Sequence, residues 1–180
     1  MRIISGKAKG RKLKVPKTDK VRPTQDKVKE ALFNIIHIKE GDKVLDLYAG
    51  AGSIGIEALS RGAKEVVFID QKPRLVHENV ELSGLGGARI YGTKVAIALK
   101  VLSKHKEQFD LIFLDPPYAG DEVLITLKNI SSFDILNPHG IVIAEHNWQQ
   151  ELPAEINGLI RYDQRQYGQA ILSFYKRGAE

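Results

Sequence analysis

Apolar runs of strand length alternate with amphipathic segments of helical period along most of this chain. Runs at 43–48, 65–70, 109–115 and 140–146, with a shorter one at 88–91, have the length and apolar content of buried strands. This alternation predicts an α/β fold with a mostly parallel sheet and helices on both faces. Because ligands of such open sheets bind beyond the carboxyl ends of the strands, the loops that follow the strands are the candidate sites.

Segments around these runs repeat their apolar residues at helical spacing. The predicted helices span 22–36, about 54–61, 73–84, 94–105 and 121–131. The final stretch, 160–177, instead predicts a terminal antiparallel pair that turns near Gly168. No internal repeat or low-complexity linker interrupts the pattern, so we expect one domain over residues 1–180.

Composition indicates the cellular compartment in which this domain is expected. The chain has 180 residues, 43% of them hydrophobic, and no cysteine, so neither disulfides nor thiolate metal sites are available. Its N-terminus lacks the apolar stretch of a signal peptide, and no run approaches the roughly 20 apolar residues of a membrane-spanning helix. We therefore expect a cytoplasmic protein with no membrane partner.

The positive charge is concentrated at the N-terminal end. The chain carries a net charge of +5, yet its first 29 residues contain eleven basic and only two acidic side chains, so the remainder is mildly acidic. A basic edge of this kind is expected where a protein meets a phosphate backbone. The apolar residues Ile3, Ile4, Leu13 and Val15 punctuate the charges, which favours a small hairpin within 1–22 over a disordered basic arm that only aids solubility.

Three glycines follow the first predicted strand. Residues 50–55 read GAGSIG and match the dinucleotide fingerprint G-x-G-x-x-G with Gly50, Gly52 and Gly55. Glycines at a strand-to-helix turn let the backbone approach a ligand closely, with amides at the start of the helix directed towards it. A tight turn with nothing bound is the alternative, but the position between a strand and a helix favours ligand binding.

Two carboxylates near this turn restrict the choice of ligand. Asp46 lies inside the strand, four positions before Gly50, where burial of a carboxylate is costly unless a partner compensates it. That partner is either a backbone amide or a cationic group of the ligand, whereas the pyrophosphate of a nicotinamide dinucleotide would be repelled. Asp70 ends the second strand and suits hydrogen bonding to two ribose hydroxyls. Asp70 supports a nucleoside ligand, and the partner of Asp46 stays open.

The loop at the end of the predicted strand 109–115 reads DPPY. The ring of Pro117 forces Pro116 into an extended conformation, which leaves the Pro116 carbonyl free to face outward. That carbonyl and the Asp115 carboxylate form two acceptors, which is what an exocyclic amino group with two N–H donors requires. Tyr118 adds a flat face on which a base can stack. A proline-rich turn with a capping aspartate is the alternative, and it is less favoured at a strand end in this fold.

The motifs together resemble those of a known enzyme family. The glycine segment with its upstream aspartate is similar to motif I of the S-adenosylmethionine-dependent methyltransferases, and DPPY is shared by methyltransferases that act on planar amino nitrogens. The wider pattern resembles the RsmD family, bacterial methyltransferases of the guanine N2 amino group in 16S ribosomal RNA. The resemblance rests on MRIISGKAKGRKL, RPTQDKVKEALFNI, VLDLYAGAGSIGIEALSRGA, VVFID, LDPPY, IAEH and YGQAILSFY.

The resemblance implies a fold, a cofactor and a partner. We expect a Rossmann-like class I methyltransferase fold with a mostly parallel seven-stranded sheet, an antiparallel C-terminal strand and the basic hairpin 1–22 as an RNA-binding extension. The implied cofactor is S-adenosylmethionine, which becomes S-adenosylhomocysteine, and no metal is needed. The implied partner is ribosomal RNA, within the small ribosomal subunit, and the protein is expected to be a monomer.

The resemblance also assigns roles to residues. The implied cofactor-binding residues are Asp46, Gly50, Gly52, Gly55 and Asp70. The implied catalytic residues are Asp115, Pro116, Pro117 and Tyr118, and the implied substrate-binding residues are Arg22, Thr24 and Tyr118.

Two other functions stay open at the level of sequence. DPPY alone would permit a DNA adenine-N6 methyltransferase, although little of the chain is left over for the usual target-recognition region. An RNA-binding module with an inactive site is the second alternative. It draws slight support from Thr93 and Lys94, which stand where the resemblance predicts an acid for the adenine amino group.

A few other residues are possible site residues, although they belong to no recognised motif. None of the five histidines has the spacing of a metal site. Trp148, the only tryptophan, is expected to serve packing rather than substrate stacking, and Glu145 at a strand end is a weaker candidate for the lining of the site.

Overall fold

Helices and strands alternate through the chain in the order that the sequence predicts. The computed structural model describes residues 1–16, 23–117 and 120–178, without the side chains of residues 23–25. In these ranges the helices are α1 (Pro23–Ile35), α2 (Ser53–Ser60), α3 (Arg74–Ser83), α4 (Val95–Lys104) and α5 (Glu122–Ser132). The strands are β1 (Lys43–Leu47), β2 (Glu65–Asp70), β3 (Ala88–Gly92), β4 (Phe109–Leu114), β5 (Leu136–Asn147), β6 (Glu155–Ile156), β7 (Leu159–Tyr167) and β8 (Ala170–Arg177). None of the helices described is long and apolar enough to cross a membrane.

The strands form one mixed sheet. Their order among the described residues is β3-β2-β1-β4-β5-β8-β7-β6, with β1 to β5 parallel and the last three antiparallel. This confirms the predicted α/β class and the terminal antiparallel pair. The predicted count of seven strands is wrong by one, because β6 adds an eighth. Two residues are too few to show the period-2 pattern on which a strand prediction depends.

The sheet brings four strand ends to one edge. β1 lies between β2 and β4, so the order of strands reverses there and opens a crevice at the carboxyl ends. Leu47 at the end of β1 pairs with both Ile69 and Leu114, and Leu114 pairs in turn with Ala144. The residues that follow these four positions are Tyr48, Asp70, Asp115 and Glu145. The register therefore gathers the predicted carboxylates at the crevice.

Two apolar layers cover the sheet. The first lies between the sheet and helices α4 and α5, and the second lies between the sheet and helices α1, α2 and α3. Adjacent residues of β1 and β2 alternate between the layers: Leu45 and Val67 belong to the first, whereas Val44 and Phe68 belong to the second. Burial on both faces explains why these strands read as continuous apolar runs.

The basic N-terminal segment is an ordered hairpin that packs on the second layer. Arg2 pairs with Lys12, and the Ile3 amide donates to the Arg11 carbonyl at 3.0 Å. Ile3 and Leu13 are buried, while most of the lysines and arginines between them are exposed. The predicted hairpin is thus present within residues 1–16, and the rest of its predicted range, 17–22, lies outside the described residues.

Gly55 allows α2 to lie directly against β2. A Cβ atom at this position would come within 2.3 Å of the ring carbon Cε1 of Phe68 and 2.8 Å of Cγ1 of Val66. Gly55→Ala should therefore destabilise the protein, because an overpacking cost of about 3 kcal/mol, the upper end of the usual range, exceeds the gain of about 1 kcal/mol in helix propensity. Urea unfolding measures the difference. Gly86→Ala is the matched control, because a Cβ there meets open space, and equal midpoints for the two variants would contradict the prediction.

Candidate active site

The turn between β1 and α2 folds the chain back on itself within five residues. Gly52 has a φ of 74°, in the left-handed region that favours glycine, and it occupies the N-cap position of α2. The Gly52 amide donates to the Ala49 carbonyl at 2.7 Å, and the Ala49 amide donates to the Ile69 carbonyl of β2 at 3.0 Å. The glycine turn is thereby fixed to the sheet beside the ends of β1 and β2.

Asp46 lies beneath this turn and is almost completely buried, with 2% of its surface exposed. Its Oδ2 accepts a hydrogen bond from the Gly55 amide at 3.0 Å. Of the two partners that the sequence left open, a backbone amide is therefore present, and it does not occupy every lone pair of the carboxylate. Burial raises the pKa of Asp46 to about 7, although the Gly55 hydrogen bond acts in the opposite direction.

Asp70 joins the second strand to the same turn. Its Oδ2 accepts a hydrogen bond from the Gly50 amide at 2.8 Å, and its Oδ1 accepts one from the Lys72 amide at 2.7 Å. Each carboxylate oxygen has two lone pairs, so both oxygens retain capacity for a ligand hydroxyl. The carboxylate is therefore held rigidly at the rim of the crevice.

Two hollows meet at this edge of the sheet, which we name the outer cleft and the inner cavity. The outer cleft has a volume of about 570 Å³ and is lined by Tyr48, Gly50, Asp70, Gln71, Lys72, Thr93, Val95, Asp115, Pro116 and Pro117. The inner cavity has a volume of about 160 Å³. Its polar and glycine-turn lining includes Asp26, Lys29, Asp46, Tyr48, Gly50, Ser53, Asp115 and Glu145. Both hollows therefore border on Tyr48, Gly50 and Asp115.

Asp115 stands at the junction of the two hollows and is partly buried. Burial raises its pKa well above the usual range, and the nearby carboxylates of Glu145 and Asp46 raise it further. Glu145 lies within the neighbouring strand β5, is 8% exposed and lines the inner cavity. Three carboxylates from three adjacent strands thus converge at one cavity, where a proton or a set of N–H donors stabilises them.

Sequence reasoning missed a buried basic residue in the lining of the inner cavity. Lys29 on α1 is buried, and its Nζ donates to the Arg2 carbonyl at 2.7 Å and lies 3.9 Å from Oε2 of Glu57. Burial lowers the pKa of Lys29. The available signal was its position one residue after Val28 and four before Phe33, on the apolar face of the helix.

Buried polar side chains tie the hairpin to the site. Glu57 on α2 accepts hydrogen bonds from the backbone amides of Ile4 at 2.8 Å and Ser5 at 3.0 Å. Asn79 on α3 donates to the carbonyls of Ala51 in the glycine turn at 2.8 Å and Lys14 in the hairpin at 3.0 Å, and accepts from the Lys14 amide at 2.7 Å. One side chain therefore bridges the basic hairpin and the glycine turn.

Some of the predicted site residues cannot be placed in this geometry. Arg22 and Tyr118 lie outside the described residues. Thr24 belongs to the first turn of α1, two residues before Asp26, and its side chain is not among those described. The predicted cofactor-binding residues Asp46, Gly50 and Asp70 and the predicted catalytic residues Asp115, Pro116 and Pro117 all line one or both hollows. Gly52 is the N-cap of α2, and the Gly55 amide donates to Asp46, so both glycines shape the glycine turn.

The structure also describes the surroundings of Trp148 and the grouping of possible metal ligands. Trp148 directly follows β5 and is half exposed, so about half of its surface packs against the protein. Its backbone amide donates to the Gln169 carbonyl at 2.9 Å, which fixes the turn that carries it. Among the described residues, no three His, Asp or Glu side chains are grouped as metal ligands.

Comparison with known proteins adds a family to this geometry. A family model described as "Conserved hypothetical protein 95" matches residues 1–176. The chain is 37% identical to the Bacillus subtilis protein named "Putative rRNA methyltransferase YlbH", over 98% of this chain and 99% of that protein. It is 34% identical to the Haemophilus influenzae protein named ribosomal RNA small subunit methyltransferase D, over 81% of this chain and 78% of that protein. The chain belongs to the RsmD family.

A solved structure shows that this RsmD-family chain also shares the fold of its relatives. The Escherichia coli protein described as "Putative methyltransferase yhhF" superposes with a TM-score of 0.83 at 28% identity, over 100% of this chain and 99% of that one. The Rossmann-like class I methyltransferase fold expected from the sequence is therefore confirmed.

Proposed function

We propose that this RsmD-family chain transfers a methyl group from S-adenosylmethionine to the exocyclic N2 amino group of a guanine in small-subunit ribosomal RNA. The observation that carries the proposal is the position of Asp115, which lines both the outer cleft and the inner cavity, with Pro116 next to it in the lining of the outer cleft. A carboxylate and a proline-fixed carbonyl are acceptors for both N–H groups of a planar amine. The names of the two relatives, an rRNA and a small-subunit rRNA methyltransferase, support the substrate class.

The residues around the outer cleft fit a nucleoside with a cationic end. Asp70 keeps acceptor capacity for ribose hydroxyls after its two backbone hydrogen bonds. Asp46 supplies a buried negative charge beneath the glycine turn, where a cationic group relieves the cost of burial. Thr93 lines the cleft in place of the expected acid, so we assign the contacts of the adenine to backbone groups near it. When bound, the cofactor supplies an electrophilic methyl group.

Asp115 and Pro116 would prepare the amine for this methyl group. The lone pair of an arylamine is delocalised into the ring, which makes the nitrogen a poor nucleophile. Hydrogen bonds from its two N–H groups to the Asp115 carboxylate and the Pro116 carbonyl draw the nitrogen towards pyramidal geometry and direct its lone pair. Because the pKa of Asp115 is raised, its carboxylate is also suited to accept the proton that the amine releases. The rest of the catalysis is positioning.

The ordered hairpin is the proposed RNA contact. Its exposed basic residues include Lys7, Lys9, Arg11, Lys12 and Lys14, which suit phosphate groups. Asn79 and Glu57 hold the hairpin against the elements that form the site. The two ends of the hairpin, Met1 and Pro16, line the inner cavity, so RNA bound along the hairpin would lead towards it. Tyr118 remains the proposed stacking contact of the flipped guanine. Arg22 and Thr24 remain proposed substrate contacts near the mouth of the pocket, with Arg22 binding RNA.

A labelling experiment tests this function directly. The protein is incubated with methyl-labelled S-adenosylmethionine and, separately, with 16S ribosomal RNA, assembled small subunits and DNA, and the labelled nucleoside is identified after digestion. We expect N2-methylguanosine from an RNA substrate and no label in DNA. Labelled N6-methyladenine in DNA would contradict the proposal, and absence of label in all three substrates would favour an RNA-binding module with an inactive site.

A further inference from the structure

Glu145 occupies the strand next to Asp115 and faces the same cavity. Leu114 and Ala144 are paired in parallel register, so the two acids that follow them lie at the same level of the sheet, Asp115 directly after β4 and Glu145 within β5. Neighbouring strands are about 4.8 Å apart, so two side chains that start at the same level of such strands can contact one base. Both side chains line the inner cavity, and the negative charge of Glu145 acts on Asp115. The mechanism proposed above gives Asp115 a role and leaves Glu145 without one.

The Watson–Crick edge of guanine carries a row of donors. Its N2 amino group has two N–H donors, and the adjacent ring nitrogen N1 carries a third. Adenine also has an exocyclic amino group, but its N1 is an acceptor with no proton. An ionised carboxylate accepts hydrogen bonds and donates none, so a pair of carboxylates matches the donors of guanine. With adenine, one carboxylate would face N1, which is also an acceptor.

The geometry points to Glu145 as the residue that selects guanine, by accepting the N1–H group while Asp115 accepts from the N2 amino group. This inference rests on the proposed function and assigns the base specificity of the same site to one residue. Discrimination follows because an unprotonated N1 would set an acceptor against the acceptor oxygens of Glu145, and this repulsion is a penalty that guanine does not incur. Burial of Glu145 makes that penalty large.

The test replaces guanine by a base that keeps the reacting amino group but has no N1–H donor next to it. RNA carrying 2-aminopurine at the methylated position retains the amino group at C2, but its N1 has no proton. We expect the wild-type protein to prefer guanine over 2-aminopurine in kcat/KM by about tenfold to a hundredfold, the range for one hydrogen bond to a charged group. If the wild-type protein methylates both bases equally well, N1–H is not recognised and the inference is overturned.

Glu145→Gln then separates the N1 contact from other differences between the bases. A glutamine amide can still accept from the N1–H of guanine, and it can also donate to the unprotonated N1 of 2-aminopurine. The guanine preference of the variant should therefore fall at least fivefold relative to wild type. Glu151→Gln removes an exposed carboxylate soon after β5 and should keep the full preference.

The outcomes distinguish this inference from the proposed function. If the wild-type protein labels no guanine at all, the function itself fails. If it labels guanine and prefers it over 2-aminopurine, but Glu145→Gln keeps that preference unchanged, the function stands and the role of Glu145 is overturned. A measurement of cofactor affinity for each variant shows that the compared proteins are folded.

Discussion

Replacement of Asp115 by asparagine should nearly abolish methyl transfer while the protein stays folded and binds its cofactor. The amide has the size of the carboxylate, but its NH₂ group presents donors to an amine that is itself a donor, and it cannot take up the released proton. Loss of a general base costs about 10²–10⁴-fold in rate, and we expect kcat to fall within this range. Single-turnover kinetics with labelled cofactor measure the methyl-transfer step itself.

Stability and binding separate this effect from damage to the fold. Because burial and two neighbouring carboxylates raise the pKa of Asp115, a neutral side chain at this position removes repulsion and should not lower the unfolding midpoint. Asp121→Asn is the matched control, since this exposed carboxylate precedes α5 and lines neither hollow. Residual activity of Asp115→Asn above a tenth of wild type would show that the carboxylate is dispensable.

Local sequence pattern was sufficient to predict the framework of the site. Strands such as 65–70 are buried on both faces by helices, so they appear as apolar runs with sharp ends. An acid at such an end is conspicuous, and the parallel register places Asp70 and Asp115 at the same edge as the glycine turn. Their approximate positions follow from the topology alone, without knowledge of any side-chain contact.

The contacts between distant segments could not be predicted in this way. Asn79 joins the hairpin to the glycine turn across 65 and 28 residues of sequence, and Glu57 contacts the hairpin across 53 and 52 residues. No local period encodes such pairs, because each depends on how the hairpin packs on α2 and α3. Lys29 was missed for the same reason, since its partners Arg2 and Glu57 are supplied by other elements.

The carboxylates of the inner cavity make the unliganded protein less stable than a neutral core would. Burial is the main cause that raises the pKa of Asp46 and of Asp115, and the charges of Glu145 and Asp46 raise the pKa of Asp115 further. A core selected for stability alone would replace them by apolar residues. Their cost is offset when a cationic ligand and a base with several N–H donors enter, so the arrangement favours binding over stability.

Asp46→Asn should change how the free energy of unfolding depends on pH. The pKa of Asp46 is about 7 in the native protein, against 3.8 for the free side chain, so the native state holds the proton more tightly. This group therefore destabilises the protein progressively as the pH rises from 4 to 7, by about 4 kcal/mol in total, and no further above pH 7. Asparagine keeps the acceptor for the Gly55 amide and carries no charge, so this loss of stability between pH 4 and pH 7 should be absent in the variant.

The free energy of unfolding, measured in urea between pH 5.5 and pH 8, checks the sign. The advantage of Asp46→Asn over wild type should grow by about 2 kcal/mol across this interval and then level off. In the wild-type protein, cofactor affinity should increase with pH while stability decreases. Wild-type affinity for S-adenosylmethionine should rise with pH up to about 7, because the cation requires ionised Asp46, while the variant binds weakly at every pH. Parallel stability profiles for the two proteins would show that Asp46 does not titrate in this interval, and unchanged affinity in the variant would show that its charge does not face the ligand.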